Sequence, residues 1–523
     1  MKKQIKNILS ILILLVPVML SCKKAPEEKR VDTIKTFTDR FADPPAEYRA
    51  IPFWVWNEKI SAEGIDFQLE EFKKAGVGGV FVHPRPGLMT EYLSEDWQSM
   101  FDHAVRKGKE LGMQVWIYDE NSYPSGFAGG HVPAQMPDSY KHGAGLAMEK
   151  QEVLKVVLSD TVAVVLKKEG DQFKEVTKEA EKENGQAGNW YIFRKTYPDK
   201  SWWYGGYSYV DLLYPGVTEK FLEITMKGYE EKNRQDFGNT LAGIFTDEPN
   251  LEAALSDGAM IRWTPDLWDA FLKKWGYDLR VCLPSIVEET GNWRKVRHDY
   301  YELLLDLFIE RWSKPWYEYC EANNLKWTGH YWEHGWPVPT DGIDELAFYT
   351  WHQMPGVDML GFRLDSAGLG GQFGNDRAIR ELRSAANQSG AKRTLSETYG
   401  GGGWDMTFSE QKRLADWQFA LGVNSVNLCL SFYSLNGVRK FDYPLSFTYH
   451  EPWWAQYKWM GDYLGRISMV AVRVGRIGWR MGNLWVSGSG SSRFQLRRGR
   501  TCQRRIARAL AVLPRQRSRK LHL

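Results

Sequence analysis

The feature that most constrains the fold is a repeated alternation of short apolar segments with amphipathic helical segments between residues 50 and 432. The apolar segments have the length of buried strands, and most of them are followed by a stretch with helical periodicity. Parallel strands need a crossover between them, and that crossover is usually a helix. The alternation therefore predicts an α/β fold with a parallel sheet.

Eight segments have the composition of buried strands, and most precede a predicted helix. The strand candidates are 50–57, 79–83, 114–118, 241–245, 325–330, 357–361, 393–396 and 424–432. The clearest helix candidates are 61–74, 94–111, 219–236, 299–322, 376–387 and 409–421. Eight such strands favour a (β/α)8 barrel of the TIM type, and a doubly wound sheet is the structural alternative.

The periodicity changes between the third and fourth strand candidates. Residues of about 138–210 alternate apolar and polar side chains, as in Val153 to Val164 and Trp190 to Arg194. This pattern predicts an antiparallel β insertion. We expect the barrel with its insertion to occupy residues 44–466.

Polar side chains follow the predicted strands, at the end where barrels carry out their chemistry. They are His83, Asp119, Glu120, Asp247, Glu248, His330, Glu333, His334 and Glu397. Any one of them could be a helix cap or a surface charge. Together they predict a functional site at the carboxyl ends of the strands.

Glu248 and Glu397 end the fourth and seventh strand candidates, which face each other across the mouth of an eight-stranded barrel. Glycoside hydrolysis needs two carboxyl groups that flank the scissile bond. The chain is also rich in aromatic residues, at 14%, and flat rings suit the apolar faces of sugars. Trp332, Tyr399 and Trp404 follow strand candidates and could serve as such platforms, or they could pack in the core.

Five segments in this order resemble the family-106 glycoside hydrolases, the α-L-rhamnosidase family. They are residues 52–57, 78–85, 119–126, 246–249 and 396–400, and the similarity covers about residues 44–462. The resemblance implies a barrel domain that removes terminal α-L-rhamnose from plant-type polysaccharide. It also implies an inverting mechanism with two glutamates and dependence on calcium.

Glu248 and Glu397 match the catalytic positions of that family, and we expect Glu397 to be the general acid and Glu248 the general base. An inverting enzyme needs carboxyl groups about 6.5 to 9.5 Å apart, and a retaining enzyme about 5 to 5.5 Å. The expected substrate-binding residues are His83, Asp119, Glu120, Asp247, His330, Glu333, Tyr399 and Trp404. Calcium prefers six to eight oxygen ligands, to which Asp119, Glu120, Asp247 and Glu333 could contribute, but no spacing identifies a metal site.

Two other functions fit the same residues. Acids at the fourth and seventh strand ends are also the arrangement of retaining exo-glycosidases of the β-galactosidase type. A catalytically inactive surface lipoprotein that binds glycans is the other possibility.

The amino terminus has the pattern of a bacterial lipoprotein leader. Lys2, Lys3 and Lys6 precede an apolar run at 8–20 that is shorter than the roughly 20 residues of a membrane-spanning helix. Leu20-Ser21-Cys22 resembles a lipobox. We expect residues 1–21 to be a signal peptide, Cys22 to carry lipid and 22–43 to be a tether, which places the protein in the cell envelope, on the periplasmic side of the outer membrane.

The carboxyl-terminal segment differs in charge from the rest of the chain. The 61 residues from Tyr463 contain 14 Arg, one Lys and no acid. The positive charge of this segment exceeds the net charge of the whole chain, which is +3. The remainder is acidic, so nucleic acid is not an expected partner. This change favours an out-of-frame or truncated product at 467–523, and a basic tail that contacts acidic lipid or polysaccharide is the alternative.

Overall fold

The computed structural model describes residues 36–249, 251–256, 258–333, 344–364 and 373–487. The expected signal peptide, Cys22, most of the expected tether and His334 lie outside the described residues. The same is true of 488–523, the larger part of the expected basic tail.

The centre of the fold is a nearly closed barrel of nine parallel strands. In chain order they are β1 (Phe53–Trp56), β2 (Gly79–Pro84), β3 (Gln114–Tyr118), β8 (Leu241–Asp247), β10 (Lys326–His330), β11 (Met354–Met359), β12 (Leu395–Thr398), β13 (Ser425–Leu428) and β14 (Ser431–Phe432). From β1 to β13 each strand pairs with the next in this list, and β14 pairs with β1 instead of β13. Each predicted strand candidate overlaps one of them.

The count is nine because the eighth candidate, 424–432, contains two strands. β13 pairs with β12, and β14 pairs with β1. Between them the carbonyl of Leu430 accepts a hydrogen bond from the amide of Phe447 instead of a barrel neighbour. The amide of Ile51 donates to the carbonyl of Val426 over 3.0 Å, which links the two edges of the barrel.

Apolar side chains fill both faces of the barrel wall, as parallel strands covered by helices require. Phe53, Phe81, Tyr118 and Phe245 belong to one buried cluster with edge-to-face and stacked rings. A second and larger cluster lies between the strands and the helices.

Thirteen α-helices in the described residues surround or extend the barrel. They are α1 (Ala62–Lys74), α2 (Glu95–Leu111), α3 (His131–Gln135), α4 (Asp138–Lys141), α5 (Val217–Asn233), α6 (Leu267–Trp275), α7 (Leu283–Val287), α8 (Trp293–Phe308), α9 (Lys314–Ala322), α10 (Glu345–Tyr349), α11 (Asp376–Ser389), α12 (Phe408–Leu421) and α13 (Lys458–Ser487); a further helical stretch covers 36–42. Helix α12 begins with a capping box in which Thr407 and Glu410 satisfy each other's backbone amides. A π-helical segment, Ile309–Ser313, joins α8 to α9.

A second, antiparallel sheet has most of its strands between β3 and β8. It consists of β4 (Gly145–Val153), β5 (Val162–Glu169), β6 (Gln172–Glu175), β7 (Ala187–Thr196) and β9 (Ile261–Arg262). Strand β9 comes from after β8 and pairs with Gly145 and Leu146. The first four strands lie in the segment whose alternating pattern predicts an insertion.

Helix α13 continues through Ile467, where the composition of the sequence changes. Arg466 near its start donates to the carbonyls of Phe41 and Ala42. None of the helices in the described part of the chain is long and apolar enough to cross a membrane.

Candidate active site

Glu248 and Glu397 lie at the carboxyl ends of β8 and β12, and both side chains are buried. Glu248 directly follows β8 and has a φ of 41°, and Tyr399 directly follows β12 with a φ of 78°. Residues other than glycine rarely adopt such left-handed backbone conformations. Where they occur, they are often found at functional sites. Both turns come at the strand ends where the sequence predicts the catalytic pair.

His330, the last residue of β10, connects the two strand ends. Its Nε2 lies 2.8 Å from Oε2 of Glu397 and 3.5 Å from Oδ1 of Asp247. Gly329 permits this close approach, because a Cβ at that position would lie 1.9 Å from the carbonyl oxygen of Thr246. The glycine therefore lets β10 and β8 come together beside the site.

Both ring nitrogens of His330 face acceptors. Nε2 faces the Glu397 carboxylate, and Nδ1 lies 3.3 Å from the carbonyl oxygen of Tyr331. Only the protonated imidazole can donate from both nitrogens. Burial lowers the pKa of His330, but the hydrogen bond to Glu397 and the nearby carboxylate charges outweigh it and raise that pKa well above its usual range. The geometry and the electrostatics both describe an imidazolium.

The two glutamates have different surroundings. Burial raises the pKa of Glu248 well above its usual range, and the adjacent charge of Asp247 raises it further. Burial also raises the pKa of Glu397, but the hydrogen bond from His330 opposes that rise. The pKa values of both carboxyl groups are raised, but only Glu397 accepts a hydrogen bond from His330, so of the two glutamates Glu397 ionises more readily.

Asp358 is a member of the site that the sequence analysis missed. It lies in β11, and it forms a group with Glu248 and His330 whose oxygen and nitrogen atoms all lie within 4.8 Å of one another. The sequence does contain a signal for this residue, because Asp358 is an acid within an otherwise apolar strand candidate, and a buried acid needs a partner.

His83 lies near the end of β2, two strands from β8 in the pairing order, and Arg85 directly follows β2. The guanidinium of Arg85 lies 3.2 Å from Nε2 of His83 and donates two hydrogen bonds of 2.7 Å to the carboxylate of Asp442. The His83 ring also packs on Tyr118, with 3.6 Å between centroids. Burial lowers the pKa of His83 well below its usual range, and the charge of Arg85 lowers it further, so this histidine is neutral.

Asp119 and Glu120 use their carboxyl oxygens to hold the loop after β3. Asp119 accepts hydrogen bonds from the hydroxyls of Ser125 and Thr246 over 2.6 and 2.7 Å. Glu120 accepts from five backbone amides, those of Asn121, Gly126, Phe127, Ala128 and Gly129. Burial raises the pKa of Glu120 to about 7, although these backbone donors oppose the rise.

Glu333 and Tyr399 are buried, whereas Trp404 is exposed. Glu333 is buried and accepts hydrogen bonds from the Tyr331 amide and the Tyr349 hydroxyl. Tyr399 is buried, and its hydroxyl donates to the carbonyl of Gln411 on α12. Trp404 exposes 44% of its surface, and Trp332 is partly buried. Of the three expected platforms, Trp404 presents the most open ring.

Neither of the two candidate metal-binding groups in the described residues fits calcium. The two candidate groups are Asp247 with His330 and Glu397, and Glu248 with His330 and Asp358. Both depend on an imidazole, whereas calcium prefers oxygen ligands alone. Both nitrogens of His330 also face acceptors, so neither offers a lone pair to a metal.

Two buried carboxyl groups thus lie at the carboxyl ends of parallel barrel strands, where barrel enzymes carry out their chemistry. A profile of the family-106 glycoside hydrolases, described as α-L-rhamnosidase, matches residues 206–478. The chain belongs to this α-L-rhamnosidase family of glycoside hydrolases.

Solved structures with a similar fold include a rhamnosidase from Novosphingobium sp. PP1Y, with a TM-score of 0.60 and 16% sequence identity. The match covers 83% of this chain and 60% of that chain, so the protein spans about three fifths of the length of this relative. A β-galactosidase from the psychrophilic Marinomonas ef1 is 9% identical, with a TM-score of 0.43 over 83% of this chain and 60% of that one. An endo-β-1,4-mannanase from Thermotoga petrophila is 10% identical, with a TM-score of 0.41 over 80% and 77%. No curated protein sequence matches the chain significantly.

Proposed function

We propose that the protein is an α-L-rhamnosidase that removes terminal rhamnose from plant-type polysaccharide by a single inverting displacement. The observation that carries this proposal is the pair of buried glutamates at the ends of β8 and β12, both close to His330, of which only Glu397 accepts its hydrogen bond. The choice of rhamnose as the released sugar rests on membership of the α-L-rhamnosidase family. In fold terms, we propose that β13 and β14 together are the eighth strand of a (β/α)8 barrel.

We assign the general acid to Glu248 and the general base to Glu397, the reverse of the expectation from sequence. An acid must hold a proton before it meets the leaving oxygen, and the buried Glu248 beside Asp247 favours its protonated form. A base must be ionised, and the imidazolium of His330 stabilises the Glu397 carboxylate. Glu397 then takes a proton from the water that attacks the anomeric carbon, while Glu248 protonates the departing oxygen.

The other polar residues of the site support this pair. His83, Asp247 and Trp404 are the expected residues that we retain as substrate contacts, whereas we reassign His330 to orienting Glu397. Asp119, Glu120, Glu333 and Tyr399 we reassign to holding the loops, because their polar atoms bind other parts of the chain.

Release of p-nitrophenol from the α-L-rhamnoside by the full chain tests the activity. Glu397→Gln should lower kcat by about 10² to 10⁴, and Glu110→Gln, on the exposed face of α2, should leave it unchanged. Hydrolysis that is equal in wild type and Glu397→Gln would refute the proposal. The anomer first released, followed by NMR, separates inversion from the retaining β-galactosidase-type alternative.

Calcium dependence stays a prediction from the family, and no step above depends on it. Attachment to the outer membrane through a lipid on Cys22, facing the periplasm, is likewise a proposal that rests on the leader sequence. Incorporation of labelled palmitate in cells, absent in Cys22→Ser, tests it.

A further inference from the structure

A tight hairpin at residues 201–207 holds a tryptophan in the open. Trp202 exposes 76% of its surface, more than most large apolar side chains of the described residues. Its neighbour Trp203 is partly buried, and the two rings meet edge to face with 5.3 Å between centroids. The two adjacent rings form an aromatic patch at the surface, and such patches often mark binding sites.

The hairpin is held firmly against the barrel loop that follows β3. Ser201 and Tyr207 form a bridge, and the Ser201 hydroxyl accepts from the amide of Trp203. Tyr204 packs on Phe127 with 5.1 Å between ring centroids. Gly205 lies so close to that loop that a Cβ there would be 2.6 Å from the carbonyl oxygen of Gly129. The orientation of the hairpin is therefore built into the fold.

A continuous series of contacts leads from this hairpin to the catalytic centre. Trp203 donates from Nε1 to the carbonyl of Tyr123 over 2.5 Å, and the rings of Tyr123 and Trp203 lie 5.8 Å apart. Tyr123 is two residues before Ser125, whose amide donates to the carbonyl of Asp247, the neighbour of Glu248. Burial and the charges of Glu248 and Asp247 raise the pKa of Tyr123 to about 12, which agrees with this closeness.

A second segment, residues 437–443, brings further aromatic rings toward Glu248. Residues 437–443 expose Phe441 and Tyr443, and Arg85 anchors the segment by binding Asp442. The Tyr123 hydroxyl also interacts electrostatically with Tyr443. Aromatic side chains thus approach Glu248 from two loops.

We propose that Trp202 and Trp203 form a binding subsite for the sugar units on the leaving-group side of the scissile bond. The inference rests on the proposed function, because it takes Glu248 as the group that protonates the leaving oxygen, and the rings extend from the Glu248 side. Flat aromatic faces bind the C–H faces of pyranose rings. The occupant is therefore a saccharide chain that ends in rhamnose, and the hairpin contributes to the choice among such chains.

The test compares Trp202→Ala with Trp459→Ala in the full chain. Trp459 has the same 76% exposure, but it lies on α13 near Asp462, which binds Arg49 beside Gly76 at the opposite end of the barrel. Affinity for a rhamnose-terminated trisaccharide and for methyl α-L-rhamnoside is measured by calorimetry in a Glu397→Gln background, where loss of the proposed base slows the cleavage of both compounds. We expect Trp202→Ala to weaken trisaccharide binding about fivefold to tenfold and to leave methyl rhamnoside binding unchanged, whereas Trp459→Ala should change neither affinity.

Equal trisaccharide affinity in Trp202→Ala and Trp459→Ala would overturn the subsite. An equal loss for both ligands would also overturn it, since that result describes a general disturbance of the site. Absence of rhamnoside cleavage by the unmutated chain would reject the proposed function instead, and the binding comparison would still decide on the subsite. If Trp202→Phe restores affinity, the contact is with the ring face.

Discussion

His330 donates from Nε2 to Oε2 of Glu397 over 2.8 Å, and the same nitrogen lies 3.5 Å from Asp247 at the neighbouring strand end. One imidazolium therefore interacts with two carboxyl groups from different strands. This contact opposes the rise in the pKa of Glu397 that burial causes, and so favours the ionised form of that carboxyl group.

The first prediction concerns the pH dependence of activity in His330→Gln. Glutamine can still donate a hydrogen bond but carries no charge, so the pKa of Glu397 should rise. Because the base is active only when ionised, the acidic limb of kcat/KM should move to higher pH by about one unit, or roughly 1.4 kcal/mol. His103→Gln is the control, because His103 makes a 2.8 Å pair with Asp66 between the outer helices; an acidic limb that stays in place would argue against the charge of His330.

The second prediction separates the acid from the base by the leaving group. Glu248→Gln should lower kcat/KM for a rhamnosyl disaccharide by about 10² to 10⁴. It should lower the value for p-nitrophenyl rhamnoside far less, because nitrophenolate departs without a proton. Glu397→Gln should slow both substrates alike. The opposite pattern, measured by steady-state kinetics, would return the acid role to Glu397.

The third prediction concerns stability. Glu120 accepts hydrogen bonds from five backbone amides, and Glu120→Gln would replace one of its acceptor oxygens with an amide nitrogen that faces those donors. We expect the free energy of unfolding to fall by about 1 to 3 kcal/mol or more, measured by denaturant titration. Glu110→Gln on the exposed face of α2 should change it little; equal stability of the two variants would contradict a structural role for Glu120.

The fourth prediction concerns the segment at 437–443. Arg85→Lys keeps the charge but loses the paired contact with both oxygens of Asp442. Amide exchange of residues 437–443 should increase about tenfold, and KM should rise while the exchange of the barrel strands stays the same. Arg106→Lys, in an exposed pair with Asp102, is the control, and protection of 437–443 that survives in Arg85→Lys would show that other contacts hold the segment.

Much of the fold and part of the site follow from local patterns. Buried strands and amphipathic helices have periods that can be read directly, so the strand candidates and most helix candidates overlap the observed elements. Polar residues at strand ends likewise identify Glu248, Glu397 and His330 as members of one rim. The break between β13 and β14 was not predictable, because it depends on the contact of Leu430 with Phe447, 17 residues further along the chain.

The sequence alone determined the alternation of strands and helices, the family and the proposed catalytic pair, because each is carried by residue types at short spacing. The tertiary structure alone decided how the surroundings of the two glutamates differ. Glu248 and Glu397 are the same residue type at equivalent strand ends, but His330, from a third strand, donates to Glu397, while Glu248 is buried beside the charge of Asp247. Protonation depends on burial and on charges within a few ångströms, and those distances exist only once the barrel has formed.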